Sequence, residues 1–245
     1  MHNRIFDDTQ VAFEMKKNFH LYNAIFLFNI ITRKLLVAVF TNLTLLMLKM
    51  KLPVKWILKR TIYKHFCGGV DLIECQKIIS GMHSMNVHSI LDYSVEGQKN
   101  ELSFENSCKK KIDIINSVSK SDAIPFAVFK PSSIGRYDLF KLISSEKNLS
   151  IAEEKEWLRV VSRFHKICNH AMKMKIKILI DAEEFEVQKA IDDLAVQMMS
   201  KYNKKNVIVY NTVQMYRWDR LGYLKELINK NSKSKFKLGF KLVRG

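Results

Sequence analysis

The chain has 245 residues, 47% of them apolar and 27% charged, which allows a sizeable core and excludes wholesale disorder. Its formal net charge is +17 and its pI about 9.7, a balance that suits nucleic acid, an anionic membrane surface or an anionic small molecule. The densest lysine runs, 109–111 and 230–241, carry no aromatic and only Phe236 and Phe240 respectively, not the regular interleaving that a single-strand binder needs, so no nucleic-acid partner is expected.

Residues 1–86 read as an N-terminal helical region without strand alternation. Asp7, Asp8 and Thr9 can cap a first helix. Residues 21–48 then supply apolar side chains over several turns, interrupted by Arg33 and Lys34. The uncharged run that remains, 35–48, is too short to span a bilayer, and a buried helix is expected there rather than one lying on a membrane. Pro53 suits the front of the next helix, and Gly68 with Gly69 breaks it. One more helix, over 71–85, gathers Leu72, Cys75, Ile78 and Ile79 on a face. The polar, mixed-charge N-terminus carries no signal-peptide pattern. Cys67, Cys75, Cys108 and Cys168 form no CxxC pair and read as reduced thiols, several of them buried. His165 and Cys168 have no second pair to complete a metal site, so no metal is expected.

From residue 87 the pattern changes to strand, helix, strand, helix. Strands are expected over 87–93, 124–130, 176–181, 207–213 and 236–243. Helices are expected over 101–121, 136–145, 150–174 and 218–231. A polar turn through Glu96 and Gly97 follows the first strand, and Ser150 with Glu153 forms a capping box. The acidic stretch 181–184 is expected to open a helix with its first turn. Alternation of this kind implies a parallel sheet. About four and a half βα units fit into 87–245, so the expected fold is α/β, a partial (β/α)8 TIM-type barrel preceded by the helical region of 1–86. No Gly-rich turn follows any strand, which counts against an open doubly wound sheet.

The apolar runs end on polar residues: Lys130, Asp181, Gln214 and Lys241. In a barrel the carboxyl ends of parallel strands converge on one rim, where active sites lie. Two lysines there can receive a carboxylate or an electron-rich ring, Asp181 can hold a cation or orient a neighbour, and Gln214 can both donate and accept. Each alone could be a strand end meeting water; four in register favour function. Tyr210, Tyr216 and Trp218 could stack on a cofactor, though such residues more often pack in cores.

Five blocks, LDYSVEG (91–97), FAVFKPSSIGRYDL (126–139), LIDAEE (179–184), VYNTVQMYRWDRL (209–221) and GFKLVRG (239–245), together with FCGG at 66–69, closely resemble the proline dehydrogenase family, most of all its monofunctional bacterial branch. The resemblance implies a distorted (β/α)8 barrel holding FAD, in which L-proline is oxidised to 1-pyrroline-5-carboxylate and electrons pass to a membrane quinone. It implies that Lys130 lies near the substrate carboxylate and that Asp181 helps organise the active site. Gln214 would contact the flavin ring, Lys241 would stabilise the reduced flavin, Leu242 would line the substrate site, and Arg244 would reach FAD phosphate or ribose. The implied location is cytoplasmic, peripheral to the inner membrane.

The family pattern continues past this block into Ala-Tyr, further strands and a helix with paired arginines that hold the proline carboxylate. The sequence is therefore expected to be a C-terminally truncated member, with neither yellow colour nor proline-dependent dye reduction from the isolated chain. Three readings stay open: a flavoenzyme by descent, a non-catalytic remnant, or half of a split enzyme completed by a complementary C-terminal barrel fragment. A basic nucleic-acid-binding helical protein ranks behind them.

Overall fold

The computed structural model describes residues 7–92 and 100–244; the expected turn through Glu96 and Gly97 lies outside them. The chain divides into two compact units, Met1–Ile78 and Ile79–Gly245.

In the first unit the Asp8 carboxylate accepts from the amides of Gln10 and Val11 and so caps α1, Thr9–Ala12. Helices α2, Asn18–Ile31, and α3, Lys34–Lys49, follow. Pro53 stands directly before α4, Val54–Leu58. A π-helical turn, Lys59–Tyr63, carries the chain into α5, Lys64–Phe66, which ends ahead of the Gly68-Gly69 pair. Helix α6, Leu72–His83, runs across the division between the units. The expected buried helix over 21–48 is not found: α2 and α3 meet at 100°, and among the described residues of this unit only Leu27 and Val54 are buried. The reason is supply and demand. Helix α2 is apolar around most of its circumference, and its neighbours in this unit leave most of those side chains exposed.

The second unit is the expected βα alternation. Its elements in order are β1, Ile90–Leu91; α7, Glu101–Val118; β2, Phe126–Phe129; a 3-10 turn, Pro131–Ser133; α8, Tyr137–Ser144; and α9, Ile151–Met174. Next come β3, Lys177–Ile180; α10, Phe185–Tyr202; β4, Val209–Gln214; α11, Arg220–Asn231; and β5, Phe240–Val243. Asn100 caps α7 by accepting from Ser103 N at 2.8 Å. The capping box of Ser150 and Glu153 starts α9 as expected. Pro131 ends β2 because it has no amide to donate to a ladder.

All strand pairings are parallel, in the order β1-β2-β3-β4-β5. Each strand is added beside the one before it, which is the winding of a (β/α) barrel; a doubly wound sheet reverses direction partway. The sheet is open, with β1 and β5 at its edges among the described residues. Phe129, Ile180, Asn211 and Phe240 share one row of the register. Phe129 packs edge-on against Phe164 of α9, ring centres 5.2 Å apart, and Asn211 bonds to Asp192 of α10, so this row faces the helices. The helix face carries the core: Phe129, Ile180, Phe164, Ile191 and Met198 are fully buried.

Residues 181–184 do not open a helix. Asp181 N still bonds to Phe129 O at 3.0 Å, extending the sheet, and Glu184 is extended at φ −64°, ψ 155° with the helix starting only after it. The segment stays open because the backbone and carboxylate of Glu183 bond elsewhere, as described below.

Asn203, fully buried, ties the entry to two strands. Its Oδ1 accepts from the amides of Ile208 and Val209, and its Nδ2 donates to Val209 O and Lys237 O. At Gly239 a Cβ would sit 2.5 Å from Val207 Cγ1 and 2.7 Å from Val209 O, so β5 can approach β4 this closely only without a side chain.

Candidate active site

Side chains alternate across a strand, so the row after Phe129–Ile180–Asn211–Phe240 points away from the helices, to the face that lines the lumen of a barrel. That row is Lys130, Asp181, Thr212 and Lys241. Lys241 Nζ donates to Asp181 Oδ1 at 2.9 Å, although the two are 60 residues apart in sequence. Both are partly screened, with side-chain exposures of 34% and 23%. Thr212 is buried, and its Oγ1 has no hydrogen-bond partner among the described residues.

Lys130 emerges at the end of β2, half-buried. Its carbonyl accepts from both the amide and hydroxyl of Ser133, and its charge acts on Glu183 and on Lys111. Lys111, on α7, is 3% exposed and 3.9 Å from Asp92 at the end of β1. Burial pushes its ammonium down to about 8, against the pull of Asp92.

One layer further out, Gln214 stands beside Val243. Its amide is held at both ends. Nε2 donates to Glu183 O at 2.7 Å and Oε1 accepts from Arg217 Nη1 at 3.2 Å, leaving one N–H for something else. The Glu183 carboxylate accepts from Ser132 N at 2.7 Å, and Glu183 N donates to Gln188 Oε1. Burial raises the Glu183 pKa, and the Ser132 hydrogen bond opposes it. Glu183 thus ties the segments that follow β2 and β3 to the last residue of β4.

A buried polar cluster backs this layer. Asp192 accepts from Asn211 and Gln188 on one oxygen and from Arg220 Nη1, at 2.6 Å, on the other. Burial raises its pKa while those three donors work against the rise. Asp219 accepts from Arg220 and Arg217, which hold its carboxyl down to about 2. Arg217 therefore links this cluster to Gln214.

Of the sequence-predicted residues, Lys130, Asp181, Gln214 and Lys241 come to one face and one end of the sheet. Leu242 alternates to the other face and is 61% exposed; Arg244 is exposed beyond it. Tyr210 points to the lumen face and stacks edge-on with Phe126 at 5.6 Å. Tyr216 and Trp218 are not core residues, Trp218 being 95% exposed. His165 bonds to the Tyr202 hydroxyl and His170 to Asn116. Cys108 and Cys168 are buried, and burial pushes Cys108 up to about 11.

The sequence reading missed Glu183, Thr212, Arg217 and the Asp192–Arg220 pair. A signal existed for one of them: Asn211 inside an apolar strand demands a buried partner.

The proline dehydrogenase family model matches residues 75–245. The carbapenem antibiotics biosynthesis protein CarD of Pectobacterium carotovorum subsp. carotovorum is 31% identical over 180 residues, 74% of this chain and 48% of that protein. The mitochondrial proline dehydrogenase 2 of Arabidopsis thaliana is 28% identical over 229 residues, 77% of this chain and 48% of that protein. Proline utilization A of Bdellovibrio bacteriovorus, a crystal structure of the protein inactivated by N-propargylglycine, superimposes with a TM-score of 0.62 at 14% identity, over 77% of this chain and 21% of that one. The chain spans about half the length of the curated relatives it matches. Matched in sequence over most of its length and built on the same strand order as a barrel, this chain belongs to the proline dehydrogenase family.

Proposed function

We propose that this chain carries the strand β2–β5 side of an FAD-dependent site that oxidises L-proline to 1-pyrroline-5-carboxylate and passes the electrons to a membrane quinone. The observation that supports the reading most is the row Lys130–Asp181–Thr212–Lys241, with its Lys241–Asp181 ion pair, which lies just past β2 and β3 and in the carboxyl-terminal part of the β4–β5 ladder.

The donor set fits a flavin edge. A fixed amide with one N–H to spare, a buried hydroxyl without a partner and a cation held by a carboxylate suit a ring that both accepts and donates and gains negative charge on reduction. Gln214, Thr212 and Lys241 would hold that edge, and Arg244 would reach toward phosphate or ribose. When bound, FAD supplies a two-electron acceptor.

The chain's own residues then have separate tasks. Lys130 binds the proline carboxylate and orients the ring. Asp181 fixes the Lys241 ammonium in place and keeps its charge from repelling Lys130. As the C=N bond forms, the hydrogen on the carbon beside nitrogen would leave with its electron pair to the two-electron acceptor, and the N–H proton would leave to solvent.

The test is proline-dependent dye reduction by the protein purified from its native source, with the product trapped by o-aminobenzaldehyde. The expected result is dye reduction in step with trapped pyrroline. Dye reduction without that product, or none with flavin bound, counts against the reading.

A further inference from the structure

Residues 15–70 contain ten Lys and Arg and no Asp or Glu. Many apolar side chains of α2 and α3 in the same stretch are exposed. Phe19, Tyr22 and Phe26 are 75%, 73% and 62% exposed, and Leu35, Val39 and Leu43 are 77%, 53% and 48% exposed. Spacings of three and four residues place the members of each set on one face of their helix.

The charges sit at the ends of the apolar arms: Lys16 and Lys17 ahead of α2, Arg33 and Lys34 at the bend, Lys49 and Lys51 at the end of α3. Among the described residues no single helix is long and apolar enough to cross a membrane; α2 and α3 reach that length and apolarity only together, as a bent pair. Arms of 14 and 16 residues reach only about 21 and 24 Å, short of a hydrocarbon core of about 30 Å, and they meet at 100°.

We propose that α2 and α3 form a docking surface for a bilayer rich in anionic phospholipid. The apolar faces enter the headgroup–acyl boundary, and the basic ends pair with lipid phosphates. A second copy of this chain is a poor occupant, because it would bring the same ten cations against these. The inference deepens the membrane element of the proposed function without needing its chemistry. Lipid capture is read without flavin or proline, so either can fail alone.

The experiment is flotation of the full chain with phosphatidylglycerol-containing vesicles and with pure phosphatidylcholine vesicles, alongside hydrogen exchange. Expected are at least tenfold greater capture by the anionic vesicles, a several-fold loss in 0.5 M salt, and new protection confined to residues 18–49. Phe19→Glu with Leu35→Glu should cut capture at least tenfold with unchanged circular dichroism. Equal capture by both vesicles, no capture, or no protection in 18–49 of the unmodified protein overturns the proposal. So does a lipid-free dimer abolished by the same two substitutions.

Discussion

Lys241 and Asp181 meet at 2.9 Å across the lumen face, one within β5 and the other just past β3, with β4 between them. Neither is deeply buried, so the pair contributes little to stability, about 1 kcal/mol or less. Its value lies in placement: the carboxylate holds a cation at the rim where the proposed electron acceptor lies.

Asp181→Asn should therefore leave Tm within a few degrees of the parent while lowering kcat for proline about a hundredfold, since charge aimed at the reacting group is worth about 3 kcal/mol. Lys241→Arg should keep most activity, and Lys241→Met should not. Steady-state kinetics beside thermal melts separate these outcomes; equal losses of activity and of Tm would show a structural role instead.

Arg217 touches Gln214 Oε1 and covers the Phe185 ring at 4.6 Å. Arg217→Ala frees the Gln214 amide to rotate. FAD affinity is expected to fall about tenfold, about 1.4 kcal/mol, measured by fluorescence titration of stripped protein. Gln214→Leu should fall at least as far.

Asp192 and Arg220 form a buried pair, 5% and 11% exposed. Removing one partner leaves a buried charge. Arg220→Leu and Asp192→Leu should each cost about 3–5 kcal/mol, and the double variant less than the sum. Denaturant unfolding of the three variants checks this.

Much of this arrangement is written in local pattern. Apolar runs ending on a polar residue locate β2 to β4 to within three residues, and the register then aligns Lys130, Asp181 and Lys241 without further information. What escapes is whatever depends on contacts between distant segments. Glu183 reads as one more acid in a helix cap, yet its bonds to Ser132, Gln188 and Gln214 hold the segment extended. Apolarity at 21–48 reads as burial because sequence shows the demand for cover and not the supply. Leu242 illustrates the period of two: it follows Lys241 directly and so faces the opposite way.

Lys111 gives a pH signature. Its folded pKa, about 8, lies below the unfolded 10.5. The unfolded chain therefore binds more protons between those values, and stability rises with pH across that window. The gain is about 3 kcal/mol in all. Lys111→Met should flatten the rise in a series of unfolding curves from pH 7.5 to 10; a parent protein with no rise would refute the assignment.

The most direct test of the central claim is anaerobic titration of the native flavin-loaded protein with L-proline, followed at the flavin absorbance band, in parent and Asp181→Asn forms. The account predicts full bleaching in the parent with one pyrroline formed per flavin, and bleaching about a hundredfold slower in the variant. Flavin that proline leaves oxidised in the parent, or a variant that bleaches at the parent's rate, would contradict it.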